Sequence, residues 1–100
     1  MASKQETVYQ RGLITRLERM LPGCVILKND PRQLQGVPDL LVLYKKWWGA
    51  LEVKLDTGRE EPNQAYYVTQ MDKMSFASFI SPSTEAEVLR AIQRSIRSRN

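Results

Sequence analysis

The sequence predicts an α/β fold in which helices flank a central mixed β-sheet. Three segments carry the patterns of helices, and four short apolar runs have the length of strands. Along the chain these elements follow one another as helix, three strands, helix, strand and helix. Because such elements bury their apolar faces against one another, a sheet with helices packed on it is the expected architecture.

The first elements are one helix and one strand, followed by a loop. A helix is predicted over residues 5–21, and Pro22-Gly23 ends it. The apolar run CVILK, residues 24–28, is typical of a strand, and the prolines and glycine within residues 29–38 indicate a loop. The helix is expected to bury the apolar residues at helical spacing, which are Val8, Ile14, Leu17 and Leu21.

A β-hairpin is predicted after this loop. Its strands are DLLVLY, residues 39–44, and ALEVKL, residues 50–55, and KKWW, residues 45–48, is expected to form the turn. The sequence DTGREEP then indicates a second loop.

Two helices and one strand complete the predicted fold. A helix is expected over residues 62–74, where a proline suits the first turn, and SFASFI, residues 75–80, is expected to be a strand. Thr84 and Glu87 form a capping-box pattern that opens a last helix over residues 84–97. The buried side chains of this helix are expected to be Leu89, Ile92 and Ile96.

Composition is that of one domain covering residues 1–100. The net charge of +4 favours a polyanionic partner, with nucleic acid first, although only mildly. Cys24 is the single cysteine, so no internal disulfide forms, and a small buried hydrophobe is the favoured interpretation of its side chain. Without an apolar run of about 20 residues or a signal-peptide pattern, we expect a cytoplasmic protein and no membrane partner.

The chain contains no histidine, and this absence excludes several kinds of active site. Serine or cysteine triads with histidine, histidine-based nuclease sites and histidine-containing zinc sites are all excluded. Any general base must therefore be a carboxylate, a lysine, a tyrosine or a metal-bound hydroxide.

The hairpin is expected to bring two carboxylates together. Glu52 and Lys54 lie two residues apart in a strand and so share one face. If the hairpin pairs Tyr44 with Trp47, Asp39 lies directly opposite Glu52, with Cβ atoms about 4.5–5.5 Å apart. A bulge at the glycine of the returning strand would change this register.

Paired carboxylates of this kind repel each other unless a cation lies between them. A small number of oxygen ligands with open positions suits Mg²⁺ or Mn²⁺. Lys54 would then orient or help deprotonate a water molecule, or stabilise the charge of a phosphorane-like transition state. Two other interpretations remain open for Glu52 and Lys54, which are a solvated outer face of the sheet and a simple ion pair.

Three segments, GVPDLLVL, ALEVKLDTG and EPNQAYY, together resemble the PD-(D/E)XK nuclease superfamily, and within it the VRR-Nuc (virus-type replication-repair nuclease) group. The resemblance covers about residues 5–80, and its most specific part extends from Gly36 to Gln64. It implies a restriction-endonuclease-like core with the element order αβββαβα.

The resemblance also implies roles for individual residues. Asp39 and Glu52 match the metal-binding carboxylates, Lys54 matches the catalytic lysine, and Val53 would contribute its backbone carbonyl to the metal. Gln64 matches a glutamine near the active site, with a solvated helix residue as its alternative.

A further acid is less securely matched. Glu6 could serve a second metal ion, or it could be an acid that complements the dipole of the first helix. Glu18 is a weaker candidate because it lies late in that helix.

Five residues are candidates for contact with nucleic acid: Arg32, Lys45, Lys46, Trp47 and Arg59. One member of the Trp47–Trp48 pair is expected to face inward, and an exposed one could stack on a base or lie in a dimer contact. Tyr66 and Tyr67 are expected to pack against the sheet. Basic residues of the last helix form a stripe that either binds phosphate or is a solvated face: Arg90, Arg94 and Arg97.

The resulting expectation is a hydrolase, a Mg²⁺- or Mn²⁺-dependent DNA endonuclease. The resemblance implies a homodimer that acts on Holliday junctions, flaps or other branched DNA in replication, repair or recombination. It further implies a compact stand-alone nuclease like those of bacteriophages, working in a bacterial cell or a phage-infected host. Two alternatives remain, a non-catalytic DNA-binding or scaffolding protein on a nuclease fold and an RNA-directed nuclease.

Overall fold

A four-stranded mixed sheet with three helices forms the protein in the computed structural model, which describes residues 3–30 and 32–99. The strands lie side by side in the order β1-β2-β3-β4, with β1, β2 and β3 antiparallel and β4 parallel to β3. The α/β prediction with a mixed sheet is therefore confirmed. The elements in chain order are α1 (Lys4–Met20), β1 (Val25–Lys28), β2 (Leu40–Tyr44), β3 (Trp47–Val53), α2 (Pro62–Met74), β4 (Ala77–Ile80) and α3 (Glu85–Arg99).

The β2–β3 hairpin has the register that the sequence predicts. Tyr44 pairs with Trp47, and Gly49 pairs with Val42 without a bulge. The turn is shorter than the predicted segment 45–48, because both tryptophans belong to β3. Lys45 has φ 55°, a left-handed conformation that two-residue hairpin turns require of a central residue.

Two helices cover one face of the sheet and enclose the core. The buried side chains of β2, β3 and β4 pack against α1 and α3 in a single apolar cluster. The expected stripes need correction in two places. Val8 is exposed and Ile14 only partly buried, whereas Leu13 is buried; in α3, Val88 is buried in place of Leu89, which packs at the margin.

Both corrections have the same physical cause. The buried residues of each helix follow an i, i+4 row, and such a row is the ridge that lies against a neighbouring surface. The two rows are Leu13, Leu17 and Leu21 in the first helix and its C-cap, and Val88, Ile92 and Ile96 in the last helix.

The other face of the sheet is only half covered. Helix α2 packs against β3 and β4. Over β1 and β2, Val25, Leu27 and Leu43 are 51%, 46% and 37% exposed. Val25 and Leu43 are paired across the two strands, so these side chains form one apolar surface, which we call the open sheet face.

An ion pair joins α1 to the start of α3. The guanidinium of Arg16 donates to both carboxylate oxygens of Glu85, with N–O distances of 2.7 and 2.8 Å. The Tyr9 hydroxyl donates to the same carboxylate at 2.8 Å. The Arg16 guanidinium lowers the pKa of Glu85 below its ordinary value. These contacts attach the middle of α1 to the first turn of α3.

Trp47 connects the hairpin to the last helix. Its side chain is 2% exposed, its indole N–H donates to Ser95 Oγ at 2.8 Å, and its ring lies 5.9 Å from that of Phe76. Gly49 lies beneath this ring, since a Cβ atom there would be 2.5 Å from Trp47 Cη2. In the described part of the chain, no helix is long and apolar enough to span a membrane.

We predict that Gly49→Ala destabilises the protein by about 1–3 kcal/mol, because the added methyl group overpacks the contact with the indole. The clashing atoms belong to the six-membered part of the indole, and phenylalanine lacks them. The cost of Gly49→Ala should therefore shrink in a Trp47→Phe background. Urea unfolding of the four proteins measures this coupling, and an equal cost in both backgrounds would contradict it.

Candidate active site

The candidate site lies at the end of the sheet where β2 begins and where β3 and β4 end; we call this the site end. Asp39 immediately precedes β2, and its backbone continues the ladder, since its carbonyl accepts from Asn29 N–H at 2.9 Å. Its carboxylate Oδ2 accepts from the Val53 N–H at 2.9 Å. The register that pairs Leu40 with Leu51 sets Asp39 beside Glu52, as the sequence predicts.

Glu52 is buried, and of the described residues it is the one buried charged side chain. It is 4% exposed, so a solvated outer face of the sheet is the wrong interpretation for it. Lys54 Nζ lies 3.8 Å from Glu52 Oε2. That distance is within the range of an ion pair but too long for a hydrogen bond. The Lys54 ammonium therefore lies beside the Glu52 carboxylate without a direct hydrogen bond to it.

Burial and neighbouring charges raise the pKa values of the carboxyl groups at the site. Burial and then the charge of Asp39 raise the pKa of Glu52, Lys54 lowers it, and the net result is a pKa of about 8. Burial also raises the pKa of Asp39. The pKa of Glu6 is raised by burial and then by the charge of Asp39. An added cation at this place would relieve all three carboxylates.

The oxygen donors at the site suit a hard divalent cation. The Lys54 N–H donates to the Ile80 carbonyl at 2.9 Å. Because a trans peptide directs its N–H and its C=O to opposite sides, the Val53 carbonyl faces away from β4, toward Asp39. Two carboxylates and one carbonyl are a small oxygen set of the kind that Mg²⁺ accepts while keeping water ligands.

Glu6 does not complete a metal-binding cluster. Within residues 3–30 and 32–99, no three acidic, histidine or cysteine side chains are grouped so that they could hold a metal ion. Glu6 is nevertheless close enough for its pKa to respond to Asp39 and Lys54. Its backbone N–H is capped by Ser3 Oγ at 3.1 Å, so it also belongs to the first turn of α1.

All three helices begin at the site end. Glu6 lies in the first turn of α1, α2 begins after the loop that leaves β3, and α3 begins after β4. Helix N-termini carry a partial positive charge and unpaired N–H groups, which favour carboxylates and phosphate groups. The positive ends of three helices thus lie at the end of the sheet that carries the site.

Gln64 has an observed structural role at the start of α2. Its side-chain Oε1 accepts from the Glu61 backbone N–H at 3.0 Å, which caps the helix. Gly36, with φ 90°, packs so closely on Asn63 that a Cβ atom would lie 2.6 Å from the Asn63 Cβ. Gln64 therefore stands near the loop before β2, while a catalytic role for it stays a prediction.

Two clefts lie among the loops of the site end. One, of about 540 Å³, lies between the loop before β2 and the start of α2, and Gly36 and Gln64 line it. The other, of about 430 Å³, lies between the loop after β3 and the start of α3, and Lys54 lines it together with Ser81 and Ser83. The serines of the β4–α3 connection match no sequence motif, so the sequence did not predict that they line a cleft at the site end.

The predicted nucleic-acid contacts fall into separate places. Arg32 and Arg59 lie in loops of the site end, and Arg32 is paired with Asp30 at 3.0 Å. Lys45 and Lys46 form the hairpin turn at the other end of the sheet. From Asp39 the chain needs five residues of strand to reach Tyr44 beside the turn, about 17 Å at about 3.4 Å per residue.

The aromatic predictions are partly wrong. Trp47 is enclosed in the core and cannot stack on a base, whereas Trp48 is partly exposed on the face that carries Glu52. Tyr66 is exposed rather than packed on the sheet, and its ring meets that of Tyr67 edge-on at 5.2 Å. The burial follows from β3 beginning at the first tryptophan, which the longer predicted turn had left outside the strand.

One basic residue at the site end was not singled out by the sequence. Lys28 is the exposed last residue of β1 and pairs with Leu40, next to Asp39. A lysine at the end of a short apolar strand is an ordinary sequence feature, so only the strand pairing reveals its position.

Comparison of the chain with protein-family models, with curated proteins and with solved structures found no match in any of the three. The assignment of the site therefore depends on the geometry and the charges described above.

We predict that the metal-free protein loses stability as the pH rises from about 5 to about 8. A carboxyl whose folded pKa is raised stabilises the fold fully below its unfolded pKa, and this contribution is lost as the pH rises through the folded value. For Glu52 those values are 4.5 and about 8. Thermal unfolding in EDTA should show a falling Tm across this window, and Glu52→Gln should flatten it.

The control for this prediction is Glu18→Gln, which removes an exposed acid far from the site. Its pH profile should follow that of the wild-type protein. A wild-type Tm that stays constant between these pH values, or an unchanged slope in Glu52→Gln, would contradict the electrostatic description of the site.

Proposed function

We propose that the protein is a divalent-metal-dependent DNA endonuclease that hydrolyses phosphodiester bonds. The observation that carries this proposal is the buried Glu52 beside Asp39, with Lys54 Nζ 3.8 Å from the Glu52 carboxylate. A buried carboxylate beside a second acid destabilises a fold unless a cation compensates the pair. Such an arrangement is costly as a structural device, and its cost is explained if the pair binds a metal ion.

The chain's own groups supply the remaining requirements. Asp39, Glu52 and the Val53 carbonyl would hold Mg²⁺ or Mn²⁺, which when bound supplies Lewis-acid activation of water and phosphate. The Lys54 ammonium is placed to orient the attacking water or to stabilise charge on the phosphate oxygens in the transition state. The rigid strand β3 positions both Glu52 and Lys54, since its apolar neighbours Leu51 and Val53 are buried in the core.

The positive ends of three helices support a phosphate substrate in particular. They lie at the site end, where their partial positive charge favours phosphate oxygens. The exposed cations Lys28 and Arg59 stand at the same end. We further propose that the substrate is branched or otherwise structured DNA, which the family resemblance implies.

We predict that Asp39→Asn, Glu52→Gln and Lys54→Ala each reduce the cleavage rate at least about a hundredfold, as expected for groups that act on the transition state. The assay compares labelled junction, flap and linear DNA, with RNA in parallel, in Mg²⁺, Mn²⁺ or EDTA. Glu18→Gln is the matched control and should cleave at the wild-type rate.

The outcomes separate the proposed activity from its alternatives. Cleavage that survives EDTA, or that continues at full rate in Lys54→Ala, would overturn the mechanism. A protein that shifts DNA in a gel but never cleaves it is a binding or scaffolding protein. Cleavage of RNA alone would identify a ribonuclease with the same site.

We also propose that the protein is a homodimer whose copies meet at the open sheet face. Val25, Leu27 and Leu43 expose a contiguous apolar surface in a domain too small to have an extensive core. A stable interface buries about 800 Å² on each partner, and a twofold axis through a single face is the simplest way to cover it.

We predict that the double variant Val25→Lys/Leu27→Lys is monomeric, because four lysines would otherwise face one another across the twofold axis. Light scattering after gel filtration measures the mass. The matched control is Val8→Lys, which places one lysine on the exposed surface of α1 and should leave the dimer intact. A monomeric wild-type protein, or a double variant that stays dimeric, would contradict this interface.

A further inference from the structure

The ionised side chains are distributed unevenly between the two ends of the molecule. The site end and its loops contain nine of the eleven acids but only six of the fifteen bases. The acids are Glu6, Asp30, Asp39, Glu52, Asp56, Glu60, Glu61, Glu85 and Glu87, and the bases are Lys4, Arg16, Lys28, Arg32, Lys54 and Arg59. The end that carries the candidate active site is therefore net negative, although the whole chain is positive.

The opposite end has the reverse composition, and we call it the basic end. It consists of the hairpin turn and the last turns of the three helices. Two acids, Glu18 and Asp72, lie there, and one of them is engaged, since Asp72 Oδ1 accepts from Ala77 N–H at 3.0 Å. The bases of this end are Arg19, Lys45, Lys46, Lys73, Arg97 and Arg99.

Two contacts connect the hairpin with the ends of α2 and α3. The Trp47 indole, next to the hairpin turn, donates to Ser95 in the last part of α3. Arg99 Nη2 at the end of α3 donates to the Met74 carbonyl at the end of α2, at 3.3 Å. The hairpin turn and the ends of two helices are thereby held together.

Helix dipoles explain only part of this accumulation of charge. Bases in the last turn of a helix compensate its negative end, which accounts for Arg19, Lys73 and Arg97. Lys45 and Lys46 lie in a hairpin turn that has no such dipole. Lys45 moreover adopts a left-handed conformation that glycine or asparagine would adopt at lower cost. Two adjacent lysines in this turn are therefore unfavourable on two grounds. The backbone conformation disfavours lysine, and the two charges repel each other.

We propose that the basic end is a second phosphate-binding surface that holds a duplex arm of the substrate away from the cleaved bond. The role of the basic end in cleavage rests on the proposed nuclease function, but its binding to duplex DNA does not. The turn lies about 17–20 Å from Asp39, and this distance corresponds to about five or six base pairs at about 3.4 Å per nucleotide along each strand. The basic end thus supplies affinity for the polyanion that the acidic site end lacks.

The test measures binding and cleavage with DNA arms of different length. Stem–loop substrates with arms of about 4, 6 and 12 base pairs fall short of the basic end, just reach it, or pass it, at about 3.4 Å per base pair. Lys45→Ala/Lys46→Ala is the test variant. Arg11→Glu is the matched control, because it lowers the net charge by the same two units on an exposed helix surface between the two ends.

On the longest arm, the test variant should bind more weakly, and the slope of log affinity against log salt should fall by about 2, since about 0.9 counterion is released per phosphate contact. In cleavage it should raise KM and leave kcat unchanged. On the shortest arm it should match the wild-type protein. Equal behaviour of the test and control variants, or a defect independent of arm length, would overturn the inference.

The two proposals fail in different ways. Cleavage with normal salt dependence in Lys45→Ala/Lys46→Ala would refute the basic end alone. Loss of length-dependent binding in this variant, in a protein that never cleaves DNA, would support the basic end and refute the nuclease.

Discussion

The register of the β2–β3 hairpin is the constraint on which the candidate site depends. A turn of two residues pairs Tyr44 with Trp47, and this pairing carries along the ladder to set Asp39 beside Glu52. A slip of one residue would turn Glu52 and Lys54 to the face where α1 and α3 enclose the apolar core. The packing of Trp47 over Gly49 and against Ser95 holds the register from the far end of the hairpin.

The same register places charge where burial makes it costly. Glu52 is buried and Asp39 lies alongside it, so burial and then the charge of Asp39 raise the pKa of Glu52, and burial also raises the pKa of Asp39. Lys54 compensates only in part, because its ammonium stays 3.8 Å away. A bound divalent cation would convert this electrostatic cost into binding affinity, and three helix N-termini would assist a phosphate group beside it. In the proposed nuclease, the site end would then carry out the cleavage, and the basic end would supply affinity for DNA.

Much of the fold could be predicted from the sequence, because the hairpin has strong local signals. The apolar strands, the two-residue separation of Glu52 and Lys54 and the proline at the start of α2 all depend on near neighbours. The exchange of Leu89 for Val88 and the burial of Trp47 depend on how helices pack on the sheet, and spacing alone does not decide this. The separation of Lys45 and Lys46 from the site is also tertiary, since it follows from the length of the strands. Likewise, the attachment of α1 to Glu85 through Arg16 and Tyr9 is a contact between distant parts of the chain.

The central claim is that Asp39 and Glu52 share a divalent cation. A crystal structure of the protein soaked in Mn²⁺, with anomalous diffraction data, tests it most directly. We expect an anomalous peak within bonding distance of one carboxylate oxygen of Asp39, one of Glu52 and the carbonyl oxygen of Val53. No such peak is expected in Asp39→Asn crystals. An absence of manganese from this position at saturating concentration, or a peak held by other residues, would contradict the account.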